Sequence, residues 1–161
     1  MSNLGLYRAL DKAGIKYEQT TVGDRYVYEN MRANGHTIGG EQSGHTILSK
    51  YATTGDGILT AIMVMEAMIE AKAPLSKLKS PVIMYPQITV NVRVKDKSVI
   101  KDKRVTDKAD EVKAILGDKG RILLRESGTE PVVRVMVEAE DDALCRLATD
   151  VADVIREISF N

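Results

Sequence analysis

Arg121-Ile122-Leu123-Leu124-Arg125-Glu126-Ser127-Gly128-Thr129-Glu130-Pro131-Val132-Val133-Arg134-Val135-Met136-Val137-Glu138 decides the architecture of the second half of this chain. Two alternating apolar runs flank a centre of turn-forming residues, which is the pattern of a β-hairpin. Alternate side chains of a strand face opposite sides of a sheet. Val133, Val135 and Val137 therefore share one face, Ile122 and Leu124 match it on the partner strand, and that face should pack on helices. Arg125 and Arg134 then fall together on the other face, beside the Ser127-Gly128-Thr129 tip. A guanidinium fork binds phosphate oxygens bidentately, and tip hydroxyls and backbone N–H groups supply further donors. Gly128 is expected to let the backbone take dihedrals that other residues avoid. The same residues would also serve an ordinary solvated hairpin; the paired arginines favour the anion grip.

Outward from the hairpin, residues 87–94 read as a strand, Lys95-Asp96-Lys97-Ser98 as a charged turn and residues 99–105 as a weaker strand. Thr106 caps a helix over residues 107–116 that Gly117 ends, and residues 141–158 form a last amphipathic helix. This β-β-α-β-β-α order predicts an α+β unit, a four-stranded antiparallel sheet with two helices. Upstream, Asn3 caps a helix that Gly14 stops, residues 15–22 read as a strand, and residues 26–33 as a second helix. Residues 36–38 and Thr46-Ile47-Leu48 are strand-like, and Thr53-Thr54-Gly55-Asp56 caps a helix over residues 57–71. That helix is apolar almost all round and is expected to be buried on several sides, with Met63, Met65 and Met68 in the core. The alternation predicts an α/β unit, a mixed sheet with helices on both faces. Its first strand is expected to be missing, since Met1-Ser2-Asn3 leads straight into a helix.

Composition narrows the function. With Lys+Arg and Asp+Glu both at 23 among 161 residues, there is no net charge to draw a polyanion, so a nucleic-acid partner is not expected. Residues 58–69, the most apolar stretch, are too few to span a bilayer. Cys145 is the single cysteine, in keeping with a reducing, cytoplasmic setting.

A second loop carries chemistry. Gly39-Gly40-Glu41-Gln42-Ser43-Gly44-His45 sets a carboxylate, a hydroxyl and an imidazole between glycines. Such groups suit the vicinal hydroxyls of a sugar: Glu41 accepts, Ser43 does either, His45 donates or accepts. A structural loop with a capping glutamate reads equally well. Two histidines without clustered ligands argue against a metal site. Gly23-Asp24-Arg25 places Arg25 as a candidate ligand contact or, more plainly, as part of a helix start.

Together the loops Gly39-Gly40-Glu41-Gln42-Ser43-Gly44-His45 and Arg125-Glu126-Ser127-Gly128-Thr129-Glu130-Pro131 closely resemble two signature loops of the α-D-phosphohexomutases. Val22-Gly23-Asp24-Arg25-Tyr26-Val27, Ala52-Thr53-Thr54-Gly55-Asp56-Gly57 and Val133-Arg134-Val135-Met136-Val137-Glu138 resemble the bacterial phosphoglucosamine mutase branch. So does the glycine of Ser-Gly-Thr-Glu-Pro, where phosphomannomutase/phosphoglucomutase relatives tend to carry asparagine. Those relatives are the alternative reading, as is a stand-alone phosphosugar-binding module.

Such enzymes have four domains. The resemblance implies that residues 1–85 are most of the third, with the sugar loop, and residues 86–161 the fourth, with the phosphate loop on a TATA-binding-protein-like sheet. It implies an isomerase interconverting glucosamine 6-phosphate and glucosamine 1-phosphate. The route runs through a phosphoserine enzyme and glucosamine 1,6-bisphosphate, feeding UDP-N-acetylglucosamine and cell-wall synthesis. The phosphoserine and Mg2+ belong to the first two domains of such enzymes. This chain has neither the nucleophile motif nor an Asp-x-Asp-x-Asp cluster. No catalytic residue and no metal ligand is therefore expected in it, and alone it is expected to be inactive. By the same resemblance Glu41, Ser43 and His45 hold the sugar. Arg125, Ser127, Gly128 and Thr129, with Arg134 near them, anchor the phosphate that is not being transferred. The implied partners are a phosphosugar substrate and the missing domains 1 and 2; an open sheet edge would offer a route to a homodimer.

Overall fold

Several helices in this protein begin where a short polar side chain captures a free backbone N–H. The computed structural model describes residues 2–160, which divide into two units between Met84 and Tyr85. In the first unit, the Asn3 side chain accepts from Gly5 N at 3.0 Å and opens α1 (Leu4–Lys12). Helix α2 (Asp24–Asn34) ends at Gly35, whose φ of 73° is the left-handed cap that favours glycine. Strands β1 (Ile38–Gly40) and β2 (Thr46–Leu48) pair antiparallel, with Gly39 opposite Ile47. Asp56 accepts from Leu59 N at 2.9 Å and opens α3 (Gly57–Glu70), after which comes the single turn α4 (Leu75–Leu78).

The expected mixed sheet is corrected here: among the described residues of this unit, the sheet is the two-stranded antiparallel β1–β2 ladder. Residues 15–22, read as a strand, form none, because no neighbouring strand takes up their backbone groups. Side chains tie the segment down instead. Tyr17 stacks on Tyr7 with ring centroids 5.1 Å apart, and Glu18 Oε2 accepts from Asn30 Nδ2 (2.8 Å) and Asn34 Nδ2 (3.1 Å).

Helix α3 is also corrected. None of its residues is buried, and Ile58, Ile62, Met65 and Ile69 form an exposed stripe along one side. Met63 and Met68 are half-buried rather than core. Two strands of three residues offer too little surface to cover more than one flank of a helix that is apolar all round.

Strand β1 lies close against α2. A Cβ on Gly39 would press on Met31 Sδ and sit 2.7 Å from Val27 Cγ1. Gly39→Ala is therefore expected to destabilise the first unit by about 1–3 kcal/mol, the usual cost of overpacking. Faster hydrogen exchange at the β2 amides would register it; exchange unchanged from the parent would refute it.

The second unit contains β3 (Gln87–Arg93), a 3-10 turn (Lys97–Lys101), α5 (Lys103–Leu116), β4 (Gly120–Glu126) and β5 (Val132–Ala139). It closes with α6 (Asp142–Cys145) and α7 (Leu147–Phe160). The strand order is β3-β5-β4, antiparallel throughout. The fold class expected from the sequence, α/β followed by α+β, holds, but the fourth strand expected at residues 99–105 does not form. Asp96 Oδ1 accepts from Ser98 N and Asp102 Oδ1 from Arg104 N, both at 2.9 Å. These local captures compete with a ladder, curl the segment into a 3-10 turn and start α5 at Lys103, with Asp102 rather than Thr106 as its cap.

Val133, Val135 and Val137 are wholly buried beneath Val105, Val112 and Leu116 of α5 and Val151, Ala152 and Ile155 of α7. Helix α7 lies on β3 and β5 and α5 on β4, which is the face strand parity assigns to the core. Cys145 joins it, its Sγ donating to Pro86 O at 3.1 Å, and burial pushes the thiol's pKa up. On the opposite face, the fully buried Glu138 is matched in register with Arg121, whose Nε and Nη2 reach Glu138 Oε2 at 2.8 and 2.7 Å. No described helix is long and apolar enough to cross a membrane.

Candidate functional site

The hairpin closes on a hydrogen bond from Ser127 N to Val132 O (2.8 Å), leaving residues 128–131 as its tip. Counting inward, Glu126 faces Val133 and Arg125 faces Arg134. Like charges directly opposite on neighbouring strands repel, and the counter-charge nearby is thin. Glu130 Oε2 stands 3.6 Å from Arg134 Nη2, with both side chains partly in water. The Nε of Arg134 is itself buried, with no hydrogen-bond partner among the described residues. A buried donor without an acceptor costs about 1–3 kcal/mol. An anionic oxygen set between the two arginines would supply the acceptor and the charge together.

Ser127 is 5% exposed. Its Oγ accepts from Glu130 N at 3.3 Å, and its carbonyl accepts from Lys97 Nζ at 3.0 Å. The side chain first organises the tip; as an acceptor in that bond, the hydroxyl keeps its own proton to give. Gly128 and Thr129 are exposed. The unusual dihedrals expected at Gly128 are not found, since the described glycines with positive φ are Gly14, Gly23, Gly35, Gly44 and Gly117. A Cβ on Gly128 would meet nothing within 4 Å. What the glycine contributes is bare backbone at the tip.

In the first unit, Glu41 N donates to His45 O (3.0 Å) and Gly44 N to Glu41 O (3.1 Å), with Gly44 at φ 99° completing the turn. Ser43 Oγ donates to Glu41 Oε1 at 2.7 Å, and His45 Nδ1 lies 3.4 Å from the same oxygen. The three side chains singled out from the sequence thus meet at one carboxylate oxygen. Two residues that the sequence reading placed at a helix start, and not with this loop, join them: the Gly23 N–H reaches Glu41, and Asp24 Oδ2 lies 3.8 Å from His45 Nδ1. Arg25 is turned instead to Glu29, Nε to Oε1 at 2.8 Å. The signal for Asp24 was its place in Gly23-Asp24-Arg25, which reads as capping until the fold brings it beside the loop.

The Ser43 hydroxyl, more than any other group, holds the Glu41 carboxyl below the ordinary glutamate range; burial opposes it, and His45 and the Gly23 N–H assist. A lowered folded-state pKa means that Glu41 stabilises the folded loop above the unfolded value, and that this is lost as pH falls through the lowered one. Ser43→Ala is expected to move the Glu41 titration, followed by carboxyl carbon NMR, up toward the ordinary value. A midpoint that does not move would contradict this account of the loop.

Among the described residues, no group of three or more His, Cys, Asp or Glu side chains is placed to hold a metal ion. The magnesium implied by the resemblance finds no ligand set in them.

Residues 1–84 match the family described as phosphoglucomutase/phosphomannomutase, alpha/beta/alpha domain III, and residues 90–154 match the C-terminal domain of the same family. The chain belongs to this phosphohexomutase family. It is 58% identical, over 99% of its length, to a phosphoglucosamine mutase of Lachnospira eligens and 53% identical, over 98%, to one of Lachnoclostridium phytofermentans. The chain spans about 36% of the length of these curated relatives. An Aspergillus fumigatus N-acetylphosphoglucosamine mutase structure matches with a TM-score of 0.83 at 20% identity, covering 98% of this chain and 37% of that one. An N-acetylglucosamine-phosphate mutase solved in its substrate complex gives 0.74 at 21% identity, with 98% and 37% covered. At such identity the likeness speaks for the fold alone. In this phosphohexomutase chain, the polar loop lies in the first unit and the arginine hairpin in the second.

Proposed function

We propose that this chain is the sugar- and phosphate-recognition part of a phosphoglucosamine mutase, a cytoplasmic isomerase. The enzyme would interconvert glucosamine 6-phosphate and glucosamine 1-phosphate by way of a phosphoserine enzyme and glucosamine 1,6-bisphosphate, serving UDP-N-acetylglucosamine and cell-wall supply. One observation carries the reading: Arg125 and Arg134 face each other beside an open glycine tip, with Arg134 Nε buried and lacking an acceptor. A phosphate dianion relieves the repulsion and fills the acceptor role, which a neutral ligand cannot do.

In this reading Arg125, Arg134 and the bare Gly128–Thr129 backbone hold the phosphate that is not transferred, and Ser127 adds its hydroxyl proton. Glu41, ionised at neutral pH, accepts from sugar hydroxyls; Ser43 and His45 fix its orientation and offer further contacts. The nucleophile and magnesium belong to the remaining length of the protein that the relatives possess. Assignment to glucosamine rather than hexose phosphates rests on the names of the relatives 58% and 53% identical.

Turnover decides between the branches. The 161-residue chain alone is expected to convert neither glucosamine nor hexose phosphates. The full-length protein carrying this sequence is expected to turn over glucosamine 6-phosphate with a higher kcat/KM than glucose or mannose phosphates. Turnover by the isolated chain, or preference for a hexose phosphate, would overturn the proposal.

A further inference from the structure

The geometry points to Lys97 as a positioning residue of the hairpin tip, one that aims the Gly128 N–H at the bound phosphate. This rests on the phosphate reading of the tip and deepens it. Lys97 stands at the start of the 3-10 turn that replaced the expected fourth strand, thirty residues before the carbonyl it grips. Its Nζ donates to Ser127 O at 3.0 Å, and the side chain is half-buried.

The consequence follows from the peptide bond. The unit is planar and trans, so the carbonyl of Ser127 and the N–H of Gly128 belong to one rigid plane and point in opposite directions. Holding the carbonyl toward Lys97 therefore fixes the N–H on the far side, and Gly128 itself carries no side chain to cover it, in a place where even a Cβ would find open space. The tip is pinned at two further points. Val94 N donates to Pro131 O at 2.9 Å, and Glu130 N to Ser127 Oγ at 3.3 Å. With Ser127 N bonded to Val132 O, the Ser127–Gly128 peptide is the tip plane whose rotation Lys97 controls.

Charge adds to the effect. The ammonium brings a third positive group to a tip that already has Arg125 and Arg134 in register. That arrangement is unfavourable for the empty hairpin and favourable once a dianion is bound. Lysine serves here because a compact ammonium can end a flexible stem on a single carbonyl while keeping two donors free.

The test uses the 161-residue chain labelled with 15N and titrated with inorganic phosphate, comparing the parent, Lys97→Met, Lys97→Arg and Arg125→Ala. Lys97→Met keeps the stem and loses the charge. It is expected to shift the Gly128 and Glu130 amide signals without ligand, lower the Gly128 backbone order parameter, and raise the phosphate Kd by about tenfold, the scale of one hydrogen bond to a charged group. Lys97→Arg should restore the affinity to within about threefold of the parent, which a purely structural role for the methylene stem would not require. A Lys97→Met chain with parental Gly128 amide shift and order parameter and parental affinity would overturn the proposal. If phosphate leaves the parent tip unperturbed, or Arg125→Ala binds it as the parent does, the phosphate reading fails. The Lys97 hold on the tip is then still judged by the ligand-free Gly128 amide shift and order parameter, where parental values in Lys97→Met refute it.

Discussion

Arg125→Ala is expected to lower kcat/KM for the phosphosugar by about a hundredfold in the full-length protein, the equivalent of losing two hydrogen bonds to an ionised phosphate. The same substitution should leave the second unit no less stable than before. Arg125 faces Arg134 across the β4–β5 ladder, and removing one of two like charges placed opposite each other relieves repulsion instead of breaking an attraction. The two effects run in opposite directions, and this separates a binding role from a structural one. An arginine that served mainly to hold the hairpin would lose stability and activity together. Arg134→Ala should reduce kcat/KM by a similar factor. It also removes the buried Nε that has no acceptor among the described residues, so its stability should rise slightly. Steady-state kinetics set beside urea unfolding of each variant would show the pattern; a destabilised Arg125→Ala with near-parental kcat/KM would refute it.

Arg121→Ala is expected to produce a large loss of stability in the second unit. Glu138 is fully buried on the central strand, and Arg121 places two nitrogens on one of its oxygens. Taking away one member of a buried ion pair typically costs about 3–5 kcal/mol, because the remaining charge is held in a poor solvent. The Arg121 side chain is 26% exposed, so water screens part of the interaction and about 3 kcal/mol is the better expectation. Domains of this size are stable by only roughly 4–12 kcal/mol, and such a loss would speed exchange of the β5 amides that open by global unfolding about a hundredfold. Replacing both partners with leucine should recover most of the loss, since an apolar pair of similar volume needs no desolvated charge. Hydrogen exchange across β5 provides the measurement. Parental protection in Arg121→Ala, or a double variant as weak as the single one, would count against this reading.

Much of the fold was legible in the residues themselves. Strand parity in Val133-Arg134-Val135-Met136-Val137 assigned the core face correctly, because a one-residue error would have buried two arginines. Capping at Asn3 and Asp56 was likewise readable, since a single side chain decides each. What escaped notice depends on partners distant in sequence. Residues 15–22 have strand composition, but a strand exists only when another pairs with it. Residues 99–105 carry β-branched residues at both ends, which reads as a weak strand, yet Asp96 and Asp102 on either side of the turn capture the backbone first. Helix α3 announced burial through its composition, while the small β1–β2 ladder leaves its Ile58–Ile69 stripe in water.

The candidate sites follow the same division. Glu41, Ser43 and His45 lie within five residues, and their convergence on one carboxylate oxygen needs only a tight turn. Arg125 and Arg134 were brought together by parity alone. Asp24 and Lys97 were not visible, because each reaches its loop from another element, seventeen or more residues away from Glu41 in one case and thirty from Ser127 in the other. The role given to Gly128 changed as well, from supplying rare dihedrals to leaving the tip backbone bare.

The central claim is that the Arg125–Arg134 hairpin is a phosphate grip. It is tested most directly by titrating the 15N-labelled chain first with glucosamine 6-phosphate and then, separately, with glucosamine. The account predicts that the phosphosugar moves the amides of residues 125–129 and the Arg134 Nε–H signal, and that glucosamine leaves both in place. Tip signals that respond equally to the two sugars, or to neither, would contradict it.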